Sequence, residues 1–142
     1  MKHSNRAVLI VEDDIDDIEL ITEAYKDLKI ENELKVMKSG VELFRYLSEN
    51  EAPFFILCDY NLPGENAIEI RNKLLGDENI RYKSVPFIIW STSASENQIK
   101  DAYDNLIQGF IVKPPSYSEI LDTVRFIFEY WSRCEHPKPN LK

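Results

Sequence analysis

Apolar residues in this chain fall into short unbroken runs, separated by longer stretches in which they recur every three or four positions. Residues 7–11, 54–58, 87–90 and 110–112 are continuous apolar runs, the pattern of strands covered on both faces. Residues 34–37 (Leu-Lys-Val-Met) alternate instead, which predicts an edge strand. Between the runs, Ile18, Ile21, Tyr25 and Leu28 form one helical stripe, and Leu121, Val124, Phe128 and Trp131 form another. Shorter stripes are Val41, Phe44 and Leu47, then Ala67, Ile70 and Leu74, then Ile99, Tyr103 and Leu106. Three of the helix starts carry a capping-box pattern: Ser39 with Glu42, Ser95 with Gln98, and Ser116 with Glu119.

Strict alternation of five strands with five helices predicts an α/β fold. Parallel strands joined by right-handed crossovers make a flavodoxin-like, doubly wound (βα)5 sandwich. The edge-like second strand favours the strand order 2-1-3-4-5, with the ligand crevice between the first and third strands. One domain is expected over residues 6–131, followed by a short tail over residues 132–142 with no output domain. Within that tail, Glu135-His136-Pro137-Lys138-Pro139 reads as disordered. His3 and His136 match no site pattern and fall in the expected mobile ends.

Bulk properties narrow the function. A chain of 142 residues can build one core without disulfide or metal staples. Its 25 acidic and 17 basic residues give a net charge of −8, which argues against nucleic acid and against an anionic membrane surface as partner. Cys58 and Cys134 form neither a disulfide framework nor a zinc pattern, so the cytoplasm is the expected compartment. No apolar stretch approaches membrane-spanning length, and residues 1–6 lack the apolar region of a signal peptide.

The chemistry sits where the strands end. Asp59 closes the third run and is followed at once by Tyr60-Asn61-Leu62-Pro63-Gly64, a turn. Glu12-Asp13-Asp14 ends the first run, Ser91-Thr92 the fourth and Lys113-Pro114 the fifth. In a parallel sheet these ends meet on one rim, where open α/β sheets bind their ligands. Asp14 is expected to start the first helix. Carboxylates packed together raise one another's pKa unless a cation intervenes, and a hard divalent ion such as Mg²⁺ is the natural counter-charge. Asp13 and Asp59 are the expected direct ligands, with Glu12 acting directly or through water and the Asn61 carbonyl as a further ligand. Lys113 stands opposite the metal, where it can hold a phosphoryl oxygen, and Ser91 offers a hydroxyl for another. Asp59 then has two uses, cation ligand or nucleophile toward phosphorus, and the second yields an aspartyl phosphate.

Val-Glu-Asp-Asp after the first strand, Asp-Tyr-Asn-Leu-Pro-Gly, Ile-Ile-Trp-Ser-Thr-Ser and Gly-Phe-Ile-Val-Lys-Pro resemble the receiver domain of two-component response regulators. The resemblance implies that Asp59 is the phosphoacceptor and that Glu12 and Asp13 form the acidic pocket. It makes Ser91 the switch hydroxyl, Phe110 the switch aromatic, and Lys113 the family's lysine. Ser39-Gly40-Val41-Glu42 and the long stretch over residues 75–86 resemble stand-alone regulators paired with bacteriophytochromes. Ala67 stands where most relatives have Gly, and Trp90 is bulky beside the switch position.

The expected function is a stand-alone, Mg²⁺-dependent receiver that takes a phosphoryl group from a sensor histidine kinase, phytochrome-type on the finer resemblance. It would then signal by a population shift toward a downstream protein in trans, a histidine phosphotransferase or a second copy of itself. It is not expected to be an enzyme beyond its own phosphorylation and dephosphorylation. A Mg²⁺-dependent phosphohydrolase of the haloacid-dehalogenase type wants a second Asp where Asn61 stands. A flavodoxin-like binder wants a phosphate loop where three acids stand. A receiver-shaped binding module used without phosphorylation is the remaining alternative.

Overall fold

The first strand, β1 (Val8–Val11), leads into α1 (Ile15–Asp27), and the alternation continues through β2 (Leu34–Met37), α2 (Gly40–Glu49), β3 (Phe55–Asp59) and α3 (Ala67–Leu75). It finishes with β4 (Phe87–Ser91), α4 (Glu96–Asp104), β5 (Gly109–Val112) and α5 (Tyr117–Ser132). These elements belong to a computed structural model that describes residues 6–137. His3, Lys138 and Pro139 lie outside the described residues.

All neighbouring strands pair in parallel, in the order β2-β1-β3-β4-β5, as the edge-like character of residues 34–37 predicts. β1, β3 and β4 are buried throughout, whereas β2 and β5 are only partly covered. The register sets Val11 beside Cys58, Asp59 beside Trp90 and Ser91 beside Val112, so the carboxyl ends of four strands finish on one rim. Alternation along each strand divides the core in two. Leu9, Val11, Ile56, Cys58 and Ile89 pack toward α2, α3 and α4, and Val8, Ile10, Leu57, Ile88 and Trp90 pack toward α1 and α5.

The helix starts are chemically specified. Asp14 caps α1, its carboxylate accepting the Asp17 N–H. Ser39, Ser95 and Ser116 cap α2, α4 and α5 as expected. Only the Ser95–Gln98 pair closes as a reciprocal box among these three, since Glu42 accepts from the Lys38 N–H rather than from Ser39. A further reciprocal box, Asn66 with Glu69, starts α3 and was not anticipated.

Two expectations need correction. The stripe of Ile99, Tyr103 and Leu106 is not a buried face: Ala102 is the residue α4 buries, while Tyr103 and Leu106 are 49% and 59% exposed. α4 ends at Asp104, and Leu106 takes a left-handed backbone conformation with φ of 59°, so Leu106 is not on the helix at all. The second correction concerns His136, which is buried rather than part of a mobile end. Its ring stacks 5.2 Å from Phe54, and Nε2 lies 2.7 Å from the Phe54 carbonyl oxygen. Phe128 meets Phe54 edge-on at 5.0 Å, and Trp131 meets His136 at 6.1 Å, so α5 brings an aromatic floor on which the chain folds back.

Arg71 is a buried cation on α3. Its guanidinium donates to the Ser84 hydroxyl at 2.6 Å and to the carbonyls of Asn105 and Leu106 at 3.1 and 2.9 Å. It also lies 5.5 Å from the Phe87 ring centre. Burial lowers its pKa to about 10. Among the described residues, no helix is long and apolar enough to cross a membrane.

Candidate active site on the sheet rim

β1 ends at Val11, so the next two residues leave the sheet on the rim before Asp14 begins α1. Glu12 turns inward and is fully buried, while Asp13 is exposed. Asp59 closes β3 directly alongside, 8% exposed. A carboxylate oxygen from each of Glu12, Asp13 and Asp59 lies within 4.8 Å of the others. Cys58, the preceding residue, packs into the core on the α2–α4 side, as strand alternation requires.

Lys113 follows β5, where its backbone N–H donates to the Ser91 carbonyl at 2.7 Å. From there its Nζ reaches Glu12 at 3.0 Å, Asp59 at 3.0 Å and Asp17 at 2.7 Å. Ser91 is buried, and its hydroxyl accepts weakly from the Ser93 N–H at 3.4 Å. Asn61 is exposed on the loop after β3 and pairs with Asn66 in an isolated antiparallel bridge. Phe110 stands apart from the carboxylates. It packs against the α2–α4 side of the core, with its ring 6.3 Å from Tyr60.

The electrostatics follow from crowding. Burial pushes Glu12 up to about 7, helped by the Asp59 charge and opposed by Lys113. Burial also raises Asp59; Lys113 opposes this, while the charges of Asp17 and Asp13 add to it. Lys113 itself is disfavoured by burial, but hydrogen bonds with Asp17, Asp59 and Glu12 outweigh that and hold it protonated above its ordinary range. One ammonium therefore faces more carboxylates than it can neutralise. The donor set left over is hard oxygen, which fits a small divalent cation such as Mg²⁺.

Sequence reasoning placed Glu12, Asp13, Asp59, Ser91 and Lys113 on one rim, and the structure ends their strands there; Asn61 lies on the loop two residues beyond Asp59. The same reasoning missed Asp17. An acidic residue in the first turn of a helix reads as compensation for the helix dipole, and nothing in the sequence marks its side chain as turned toward Lys113.

The chain is similar in sequence and in fold to known response regulators. The chain is 28% identical over 129 residues to the probable methanogenesis regulatory protein FilR2 of Methanothrix harundinacea, covering 87% of this chain and 82% of FilR2. Against the response regulator Rcp1 of Synechocystis it is 24% identical over 132 residues, covering 89% and 88%. The phosphorylated cyanobacterial phytochrome response regulator RcpA superposes with a TM-score of 0.83 at 28% identity, covering 94% of this chain and 99% of RcpA. The Mn²⁺-bound form of Rcp1 superposes with a TM-score of 0.79 at 22% identity, covering 94% and 99%. A model of the response regulator receiver domain matches residues 8–125, and with that match and the site on the sheet rim the chain belongs to the receiver-domain family of response regulators.

Proposed function

We propose that this chain accepts a phosphoryl group on Asp59, from a sensor histidine kinase, in a Mg²⁺-dependent reaction. Receiver domains are signalling proteins phosphorylated by histidine kinases. The observation that carries the assignment is Lys113 Nζ lying 3.0 Å from both Glu12 and Asp59, on a rim with a third carboxylate, Asp13, in ligand range.

Asp13, Asp59, Glu12 and the Asn61 carbonyl are the groups that would hold the cation. When bound, Mg²⁺ supplies positive charge for the phosphoryl oxygens. Asp59 needs no general base, because an ionised carboxylate oxygen attacks phosphorus directly. The new P–O bond forms as the bond from phosphorus to the donor breaks, and the bonding pair leaves with the donor. Lys113 donates to a phosphoryl oxygen and Ser91 offers its hydroxyl to another. Phe110 then moves toward the space that Ser91 vacates, which alters the surface of α4, β5 and α5.

Tyr103 on α4, Val112 on β5, and Phe126 and Tyr130 on α5 are exposed, which supports readout by a partner in trans: a downstream protein, a histidine phosphotransferase or a second copy. The similarity to RcpA supports a phytochrome-type kinase as the phosphodonor. Cytoplasmic placement fits such a partner.

Intact mass after incubation with acetyl phosphate tests the reading. A phosphoryl adduct that requires Mg²⁺ and is absent from Asp59→Asn is the expected result. An adduct of equal yield on Asp59→Asn would remove Asp59 as acceptor.

A further inference from the structure

We propose that Asp17 is a positioning residue for phosphoryl transfer, holding the Lys113 ammonium from the α1 side so that it does not close fully on the Asp59 nucleophile. The inference rests on the role given to Lys113 above.

An ammonium has three N–H donors and no other polar capacity. Lys113 donates one to Glu12 after β1 at 3.0 Å and one to Asp17 on α1 at 2.7 Å, and its Nζ stands 3.0 Å from Asp59 at the end of β3 as an ion pair. The shortest of these contacts goes to Asp17, not to the phosphoacceptor. Asp17 lies outside the trio of carboxylates suited to a cation, so its charge serves the lysine. Its backbone is fixed as well, because its N–H donates to the capping carboxylate of Asp14 at 3.0 Å.

Packing alone does not fix the lysine on this side. A cavity of about 360 Å³, lined among others by Asp17, Leu20, Trp90, Lys113, Pro114 and Tyr117, opens beside it. The ion pair with Asp17 therefore sets where Nζ stands. Without it, the ammonium is free to take both oxygens of Asp59 and withdraw the electron pair that must reach phosphorus. With it, Glu12 and Asp17 keep Nζ in place by two hydrogen bonds, and the remaining N–H meets a phosphoryl oxygen as the P–O bond forms. Asp17 makes and breaks no covalent bond, and Lys113 keeps its proton throughout.

A purely repulsive role for Asp17 predicts the opposite sign. If it were one more negative charge facing an anionic donor, neutralising it would accelerate transfer.

The test is the rate of adduct formation from acetyl phosphate at saturating Mg²⁺, measured on wild type, Asp17→Asn, Lys113→Met and the double variant, together with Mg²⁺ affinity. Asp17→Asn is expected to slow transfer about tenfold at saturating Mg²⁺, as expected for loss of a charged hydrogen bond, and to weaken Mg²⁺ binding as the freed ammonium competes for Asp59. Asp17→Glu should restore part of the rate, and Asp17→Asn should cost nothing further in the Lys113→Met background. An unchanged or faster Asp17→Asn, or a full loss persisting in the double variant, would overturn the proposal. Lys113→Met transferring at the wild-type rate would instead overturn the site assignment on which it rests.

Discussion

The ammonium of Lys113 stands 5.4 Å from the centre of the Trp90 ring. Trp90 is 2% exposed and closes the core on the α1–α5 side, so a buried indole faces the charge around which the rim is organised. The contact is a cation–π pair, and any event that redistributes charge around Lys113 must change the field at the indole.

Trp90 should therefore report on the site by fluorescence. In a Trp131→Phe background, Mg²⁺ titration is expected to shift or quench the emission, and acetyl phosphate to change it again. The same titration of Trp90→Phe should be silent. A flat response in Trp131→Phe, with Mg²⁺ binding confirmed independently, would contradict the proximity.

Arg71 should matter for stability more than its place on a surface helix suggests. Three backbone carbonyls and the Ser84 hydroxyl take its N–H groups, and all lose a donor on truncation. Arg71→Ala is expected to cost about 3 kcal/mol in denaturant unfolding. Arg71→Lys should recover only part, because an ammonium cannot reproduce the fork that reaches Ser84, Asn105 and Leu106 together. Wild-type stability for Arg71→Lys would show that the fork is not needed.

His136 should anchor the end of the described chain. Loss of its stacking on Phe54 and of its contact with the Phe54 carbonyl is expected to lower stability by about 1 kcal/mol in His136→Ala. Thermal unfolding at fixed pH checks this. A midpoint equal to wild type would mean the segment merely rests on the core.

Ser91 and Phe110 should separate chemistry from signalling. Ser91→Ala is expected to retain a Mg²⁺-dependent adduct on Asp59 but to lose the phosphorylation-linked change in Phe110 ring resonances. Phe110 shifts that persist in Ser91→Ala would assign the switch elsewhere.

Much of this architecture was readable from the chain, for identifiable reasons. Short continuous apolar runs bounded by turn residues read as strands covered on both faces, and each is followed by a polar residue whose place on the rim follows from parallel pairing. That is why the sequence alone puts Glu12, Asp59, Ser91 and Lys113 together. What escaped depended on side-chain direction or on distant partners. Asp17 looks like Asp16 in sequence, yet Asp17 reaches Lys113. Arg71 looks like a solvated helix charge, and its burial depends on carbonyls more than thirty positions away. Periodicity marked Tyr103 and Leu106 as a face but could not say that nothing covers it. His136 carried no local signal, because Phe54 and Trp131 reach it only through the fold.

The most direct test of the central claim is to phosphorylate the protein with acetyl phosphate and Mg²⁺, reduce it with borohydride and map the product by peptide mass spectrometry. An acyl phosphate on Asp59 is reduced to homoserine, so the expected result is homoserine at position 59 alone, dependent on both Mg²⁺ and phosphodonor. Reduction at another carboxylate, with Asp59 intact, would contradict the account.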